Sequence, residues 1–198
     1  PFPIRSGTPQ GCPASPLIFL LVAEALTRAV LEDNKMKGYT TKSGIEIKIS
    51  QFADDTQFIL KGYAQLKRMW AHIKDYEEAT GMKANCKKFE GFRLGRTKRE
   101  PVPANKHTKD IRFVEEGKYI VILGIPFGED FDSRHFLEAK YLKMKSIIAS
   151  WKDHAKASVF GRAMLANAMI FSRFRYYVQS MPFPADLEEA IEEDANAL

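Results

Sequence analysis

Two adjacent carboxylates, Asp54 and Asp55, interrupt a run that otherwise reads as β structure. Ile45-Glu46-Ile47-Lys48-Ile49-Ser50 precedes them and Gln57-Phe58-Ile59-Leu60 follows, with Gln51-Phe52-Ala53 and Thr56 flanking the pair. Strands rich in β-branched and aromatic residues, broken by a short acidic element, predict a hairpin with the acids at its tip. Paired carboxylates at a strand end are a natural place to hold hard divalent cations against phosphates. Asp is also a common turn residue, and such a pair can simply be solvated. These residues alone leave both readings open.

The chain's 198 residues suffice for one domain with a real core, with or without a small appendage. The longest apolar run, Ala14 to Ala23, is about half the ~20 residues of a membrane span. No secretory signal is visible, and the start at Pro1-Phe2 reads as a piece of a longer polypeptide. Cys12 and Cys86 lie far apart with no metal-ligand spacing, so free thiols in a reducing, intracellular compartment are expected. The net charge is +5, but six acids and no base lie between Asp186 and Leu198. Removing those six charges leaves the first 185 residues at +11, a balance suited to a polyanion such as nucleic acid.

Residues 1–14 are rich in Pro, Gly, Ser and Thr and predict a loop. Ser15-Pro16 then opens a helix to about Leu31, with Ser15 as cap and Pro16 in the first turn. A polar linker is expected over residues 33–43. A second helix spans Ala64 to Thr80 and stops at Gly81. Lys88 to Leu94 reads as a strand, Gly95 to Lys109 as a basic exposed loop, Tyr119 to Leu123 as a buried strand, and Pro126 to Asp132 as a turn. From Ser133 the pattern is helical to the end, broken near Ala157 and at Pro182-Phe183-Pro184. The expected class is α+β, with a boundary near residues 128–133 between a mixed part and an all-helical part.

Four blocks in order carry a resemblance. The first has Gly7, Gln10, Gly11, Pro13, Ser15, Pro16 and Phe19 in the pattern Gly-x-x-Gln-Gly-x-Pro-x-Ser-Pro-x-x-Phe. Phe52-Ala53-Asp54-Asp55-Thr56 follows some forty residues on, then Gly81 to Lys88 with Gly81, Asn85 and Lys88 in characteristic places. Tyr119 and Leu123-Gly124-Ile125 come next, trailed by Trp151, Phe160-Gly161-Arg162 and the run to Tyr177. Together these resemble the reverse transcriptases of non-LTR (LINE-type) retrotransposons over essentially the whole chain.

The resemblance implies a partial right-hand polymerase palm over 1–127, an antiparallel sheet with helices, followed by an all-helical thumb over 133–198. It implies RNA-directed DNA synthesis, with an RNA template and a DNA primer as partners and Mg2+ or Mn2+ as cofactor. Asp54 and Asp55 would be the catalytic, metal-binding pair, Asp54 facing the ions and Asp55 helping from the turn. Gln10, Gly11 and Lys88 would lie against template and nucleotide, although Lys88 reads equally well as a surface lysine. Leu123-Gly124 would grip the primer, and Lys152, Lys156 and Arg162 would contact backbone phosphates. Phe171, Phe174, Tyr176 and Tyr177 read as core residues, with base stacking the alternative.

The family site needs a further carboxylate from an upstream strand, and the sequence does not contain it. Two expectations follow: a segment of an active enzyme, nuclear if the retrotransposon is active and catalytically incomplete in isolation, or a non-catalytic derivative serving a structural or RNA-binding role in a larger ribonucleoprotein assembly. The oligomeric state is open, and the acidic final helix could dock on its own chain or on another.

Overall fold

The computed structural model describes residues 11–152 and 158–197, the side chains of 151 and 152 excepted. Gln10 and the rest of the first loop to residue 10, the side chains of Trp151 and Lys152, Lys156, the expected break at Ala157, and Leu198 therefore lie outside the described residues. The chain divides into two compact units, Pro1–Phe113 and Val114–Leu198. Helices and small sheets are mixed, as an α+β class requires, and the described strands form four two-stranded sheets.

In the first unit, α1 (Ser15–Glu32) buries Ala23, Leu26 and Val30, one stripe at helical spacing. Ala14, not Ser15, takes the cap position, and Ser15 is already helical beside Pro16. The first half of α1 is apolar beyond that stripe, leaving Leu17, Leu20 and Leu21 exposed. The segment read as linker contains β1 (Tyr39–Thr40), which pairs antiparallel with β2 (Glu46–Ile47). Next come β3 (Ile49–Phe52) and β4 (Asp55–Phe58), also antiparallel.

A short 3-10 turn leads into α2 (Leu66–Thr80), which buries Leu66, Met69 and Ile73. It ends where Gly81 adopts φ 72°, the left-handed stop expected from its position. Leu26, Val30, Met36, Ile49, Leu66, Met69 and Ile73 form one core that joins α1, α2 and β3. The strand expected over 88–94 is only β5 (Glu90–Gly91), because its partner β6 (Arg112–Phe113) arrives in parallel after α3 (Arg96–Arg99) and matches just those residues.

In the second unit, β7 (Ile120–Ile122) pairs antiparallel with β8 (Ile125–Phe127). The sequence predicts a buried strand followed by a turn from Pro126. Instead Pro126 is in a strand, and Val121 is exposed, because a two-stranded hairpin covers one face at most. Then follow α4 (Ser133–Lys152), α5 (Val159–Ala166), a π turn over Asn167–Phe171, α6 (Ser172–Val178) and α7 (Ala185–Asn196). Phe136, Leu137, Met144, Ile170, Phe174, Leu187 and Ile191 make its core. The acidic α7 docks on its own chain: Leu187 and Ile191 enter that core, Arg134 pairs with Asp186, and Tyr141 donates to Asp194 at 2.7 Å. No described helix is long and apolar enough to cross a membrane.

Candidate active site

The carboxylate hairpin forms as the strand pattern demands, but its register assigns the two acids different places. Phe52 pairs with Asp55, so the two-residue connection is Ala53-Asp54. Ala53 has φ 51°, a conformation an L residue adopts rarely, and Asp54 does not share it. Positive φ at the first central position alone is the pattern of a type II′ turn, whose twist suits the flanking strands. Asp54 thus sits in the turn and Asp55 is the first residue of β4, the reverse of the expectation that put Asp55 at the turn. Both side chains are exposed.

A polar brace holds this hairpin from below. Gln51 lies on the inward face of β3 with Ile49. Its amide donates to Thr56 Oγ1 across the sheet at 3.0 Å and accepts from the Thr27 hydroxyl of α1. The amide is thereby fixed in orientation, with its donor and acceptor both used. Sequence reasoning gave Gln51 and Thr27 no role, although a polar residue at an inward strand register is the signal that marks such a brace.

A second network ties the end of α1 to α2. Asp33 accepts from Arg68 Nε and Nη2 at 2.7 Å each and lies 2.9 Å from His72 Nε2. It also accepts from the backbone amides of Lys35 and Met36. Burial acts to raise the Asp33 pKa, but the bonds from His72, Arg68 and the two amides outweigh it and hold the carboxyl well below the usual range. The buried Lys48 ammonium, just before β3, donates to the carbonyls of Leu31 and Asp33 at 3.0 and 2.9 Å. A cation at a helix C-terminus is favourably placed against the final carbonyls.

The remaining expected positions are distributed. Gly11 has φ 91° and open space around it, as a backbone approached by a ligand would require. Lys88 is exposed at the end of a 3-10 turn (Cys86–Lys88) that Asn85 caps through Lys87 N. Glu77 pins this block to α2 by accepting from Ala84 N at 2.7 Å.

In the second unit, Leu123 and Gly124 are the two central residues of the β7–β8 turn, with φ 50° and 85°. Both positive values mark a type I′ turn, which suits Gly and strains Leu. Tyr176 of α6 donates its hydroxyl to Leu123 O at 2.8 Å, so the strained turn is clamped from the helices. The sequence predicts Tyr176 as a core residue, with base stacking the alternative; instead it is exposed and its hydroxyl holds the turn. Phe174 is buried, and Tyr177 packs edge-on against Phe136. Tyr176→Phe is expected to loosen the turn by about 1 kcal/mol, seen as amide exchange a few times faster over residues 120–127. Unchanged exchange there would show that the hydroxyl contributes nothing.

Arg162 is exposed on α5, whose first turn Ser158 caps at Gly161 N. Several helical cations are already engaged. Lys145 lies 3.5 Å from Asp194, Arg134 pairs with both Glu138 and Asp186, and Lys140 stands over the Phe136 ring.

As a metal centre, the donor set is short. Among the described residues no group of three or more His, Cys, Asp and Glu side chains could hold a metal ion. Hard dications take six or more oxygens, and Asp54 with Asp55 supplies two carboxylates aimed from a turn and a strand. These residues alone do not fit a pair of such ions.

Compared with known families, residues 1–137 match the model described as reverse transcriptase (RNA-dependent DNA polymerase). The match covers the hairpin, the Gly81–Lys88 block and the β7–β8 turn.

Proposed function

We propose, from the premise that this chain belongs to the reverse transcriptase (RNA-dependent DNA polymerase) family, that it is the palm-and-thumb segment of a non-LTR retrotransposon enzyme. The carrying observation is the Asp54-Asp55 pair presented on a tight hairpin turn inside the matched region. Residues 1–127 are read as palm and 133–198 as thumb. The clustering of residues 114–127 with the helical half suits a primer-gripping turn that is held by the thumb. The exposed apolar half of α1 supports a segment that works with further protein surface.

Within this reading each residue has a task, and the geometry of Gly11, Lys88, Leu123-Gly124 and Arg162 supports theirs. Gly11, and Gln10 beside it, bring backbone close to template and incoming nucleotide. Lys88 offers an exposed ammonium to the polyphosphate. The Leu123-Gly124 turn presents backbone to the primer strand. Arg162, with Lys152 and Lys156, offers charge to backbone phosphates.

In the family reaction Mg2+ or Mn2+ neutralises charge on the transferring phosphate. Asp54 and Asp55 would share in holding such ions only with a further carboxylate. The chain with these donors alone is therefore read as catalytically incomplete. The alternative reading is a non-catalytic derivative that serves as a structural or RNA-binding component of a larger assembly.

Primer extension on an RNA template with Mg2+ or Mn2+ tests this. The 198-residue chain is expected to give no product above background. Synthesis that Asp54→Asn abolishes would show that the carboxylates present suffice, and would overturn both the incompleteness and the non-catalytic reading.

A further inference from the structure

Charge is concentrated in one segment, among whose cations only Lys88 is given a role above. Residues 83–112 carry ten Lys and Arg against three acids, a net +7 in a chain whose total is +5. Six of these cations, Lys83, Lys87, Lys88, Arg99, Lys106 and Lys109, have no acidic partner among the described residues. Each of the six is exposed.

The segment is a folded platform. Phe89, Ile111 and Phe113 pack against the core of the first unit, so its apolar side is turned inward. Its two ends are joined by the parallel β5–β6 pair, where Arg112 N donates to Phe89 O at 2.9 Å. Its middle is held by Trp70 Nε1, which donates to His107 O at 2.7 Å. Asn105 and the buried Thr108 close the turn that carries Lys106 and Lys109: Asn105 Oδ1 accepts from His107 N at 2.8 Å, and Thr108 Oγ1 donates to Pro103 O at 2.5 Å. Anchored backbone lowers the ordering lost when the side chains engage a ligand.

We propose that residues 83–112 form a second binding surface for the phosphodiester backbone of nucleic acid, additional to the thumb cations and resting on the nucleic-acid reading above. Cations left unpaired on an ordered surface release condensed counterions from a polyanion, and their spread along the segment suits a repeating charge. A lipid headgroup surface fits less well. Exposed cations alone would also attract anionic headgroups, but the segment lies inside the residues that match the reverse transcriptase model, which favours nucleic acid.

The test compares the 198-residue chain with Arg99→Gln/Lys106→Gln/Lys109→Gln, three substitutions at exposed, unpaired positions. Binding to a labelled single-stranded RNA and to an RNA/DNA heteroduplex is followed by fluorescence anisotropy across a salt series. The triple variant is expected to melt with wild type, to bind more weakly on at least one of the two, and to show a salt slope shallower by about two to three. A larger loss on the heteroduplex would assign the surface to duplex, and a larger loss on the single strand to an unpaired strand; either supports it.

Wild-type affinity and slope in the triple variant would overturn the proposal. So would loss of binding to phosphatidylserine vesicles with nucleic-acid binding intact. Arg162→Gln/Arg173→Gln/Arg175→Gln, which removes three exposed cations of α5 and α6 within the proposed thumb, serves as the comparison. If that variant alone weakens, this surface fails while the thumb reading stands. If the unmodified chain binds neither nucleic acid, the nucleic-acid reading itself fails.

Discussion

Asp33→Ala is expected to destabilise the chain by about 3 kcal/mol, lowering the melting temperature by roughly 6–12 °C. The carboxylate is 7% exposed and is the shared acceptor for Arg68, His72 and two backbone amides. Truncation leaves those donors facing one another across a small cavity. Arg68 is 39% exposed and can recover water, which places the loss at the low end for a broken buried pair. The pH dependence has a definite sign. The folded pKa is depressed, so the stabilisation is present above about pH 4, where the unfolded chain's Asp is already ionised. It is lost progressively as pH falls from there through the lower folded value. Urea denaturation should therefore show the gap between wild type and Asp33→Ala narrowing below about pH 4. A gap that stays constant into strong acid, or no gap at neutral pH, would contradict the network.

Much of this architecture is legible in the chain because helical periodicity is a local signal. Leu66, Met69 and Ile73 mark the buried face of α2, and Gly81 marks its end, without reference to anything distant. The carboxylate hairpin is legible for the same reason, since its strands alternate on either side of a short acidic break. Which acid occupies the turn is not legible. Ala53 takes a left-handed φ that Gly, Asn or Asp would advertise and Ala does not, so the register read from the sequence slips by one. Leu123 hides the β7–β8 turn in the same way, by adopting φ 50° inside an apolar run that looks like continuous strand.

The Asp33 network depends on α1 and α2 having packed. Arg68 and His72 are spaced i, i+4 and read as an ordinary solvated face until the end of α1 is laid beside them. The strand at Glu90 is short because its partner comes from residue 112, and no local pattern announces a parallel pairing across that distance. The candidate site follows this division. Asp54, Asp55, Gly11, Lys88 and Leu123-Gly124 are candidates from ordered motifs alone, whereas the bonds by which Gln51, Thr27 and Tyr176 hold the turns are visible only in the tertiary contacts.

Gly38→Ala is expected to be the other large loss, about 3 kcal/mol or more, by a different mechanism. Gly38 is buried, and its backbone does not need a glycine torsion. An added Cβ would run into the Ile47 carbonyl and come within 2.9 Å of Lys48 Cα. Those are backbone atoms, so no rotamer change relieves the clash, and β1 must move away from β2. The bond from Gly38 N to Glu46 Oε1, 3.0 Å, would then be strained as well.

Gly44→Ala is the internal comparison. Gly44 has φ 85° and nothing within 4 Å of a Cβ, so only the torsional penalty of about 1 kcal/mol applies. Paired melts should separate the two by roughly 4–8 °C. Equal losses would mean that the tight approach of Gly38 to β2 is not maintained in solution. Ile47 and Lys48 lead directly into β3, and Lys48 also fastens that strand to the end of α1. Displacement at Gly38 is therefore passed along the strand toward the Ala53-Asp54 turn, and amide exchange over residues 49–58 should rise in Gly38→Ala but not in Gly44→Ala.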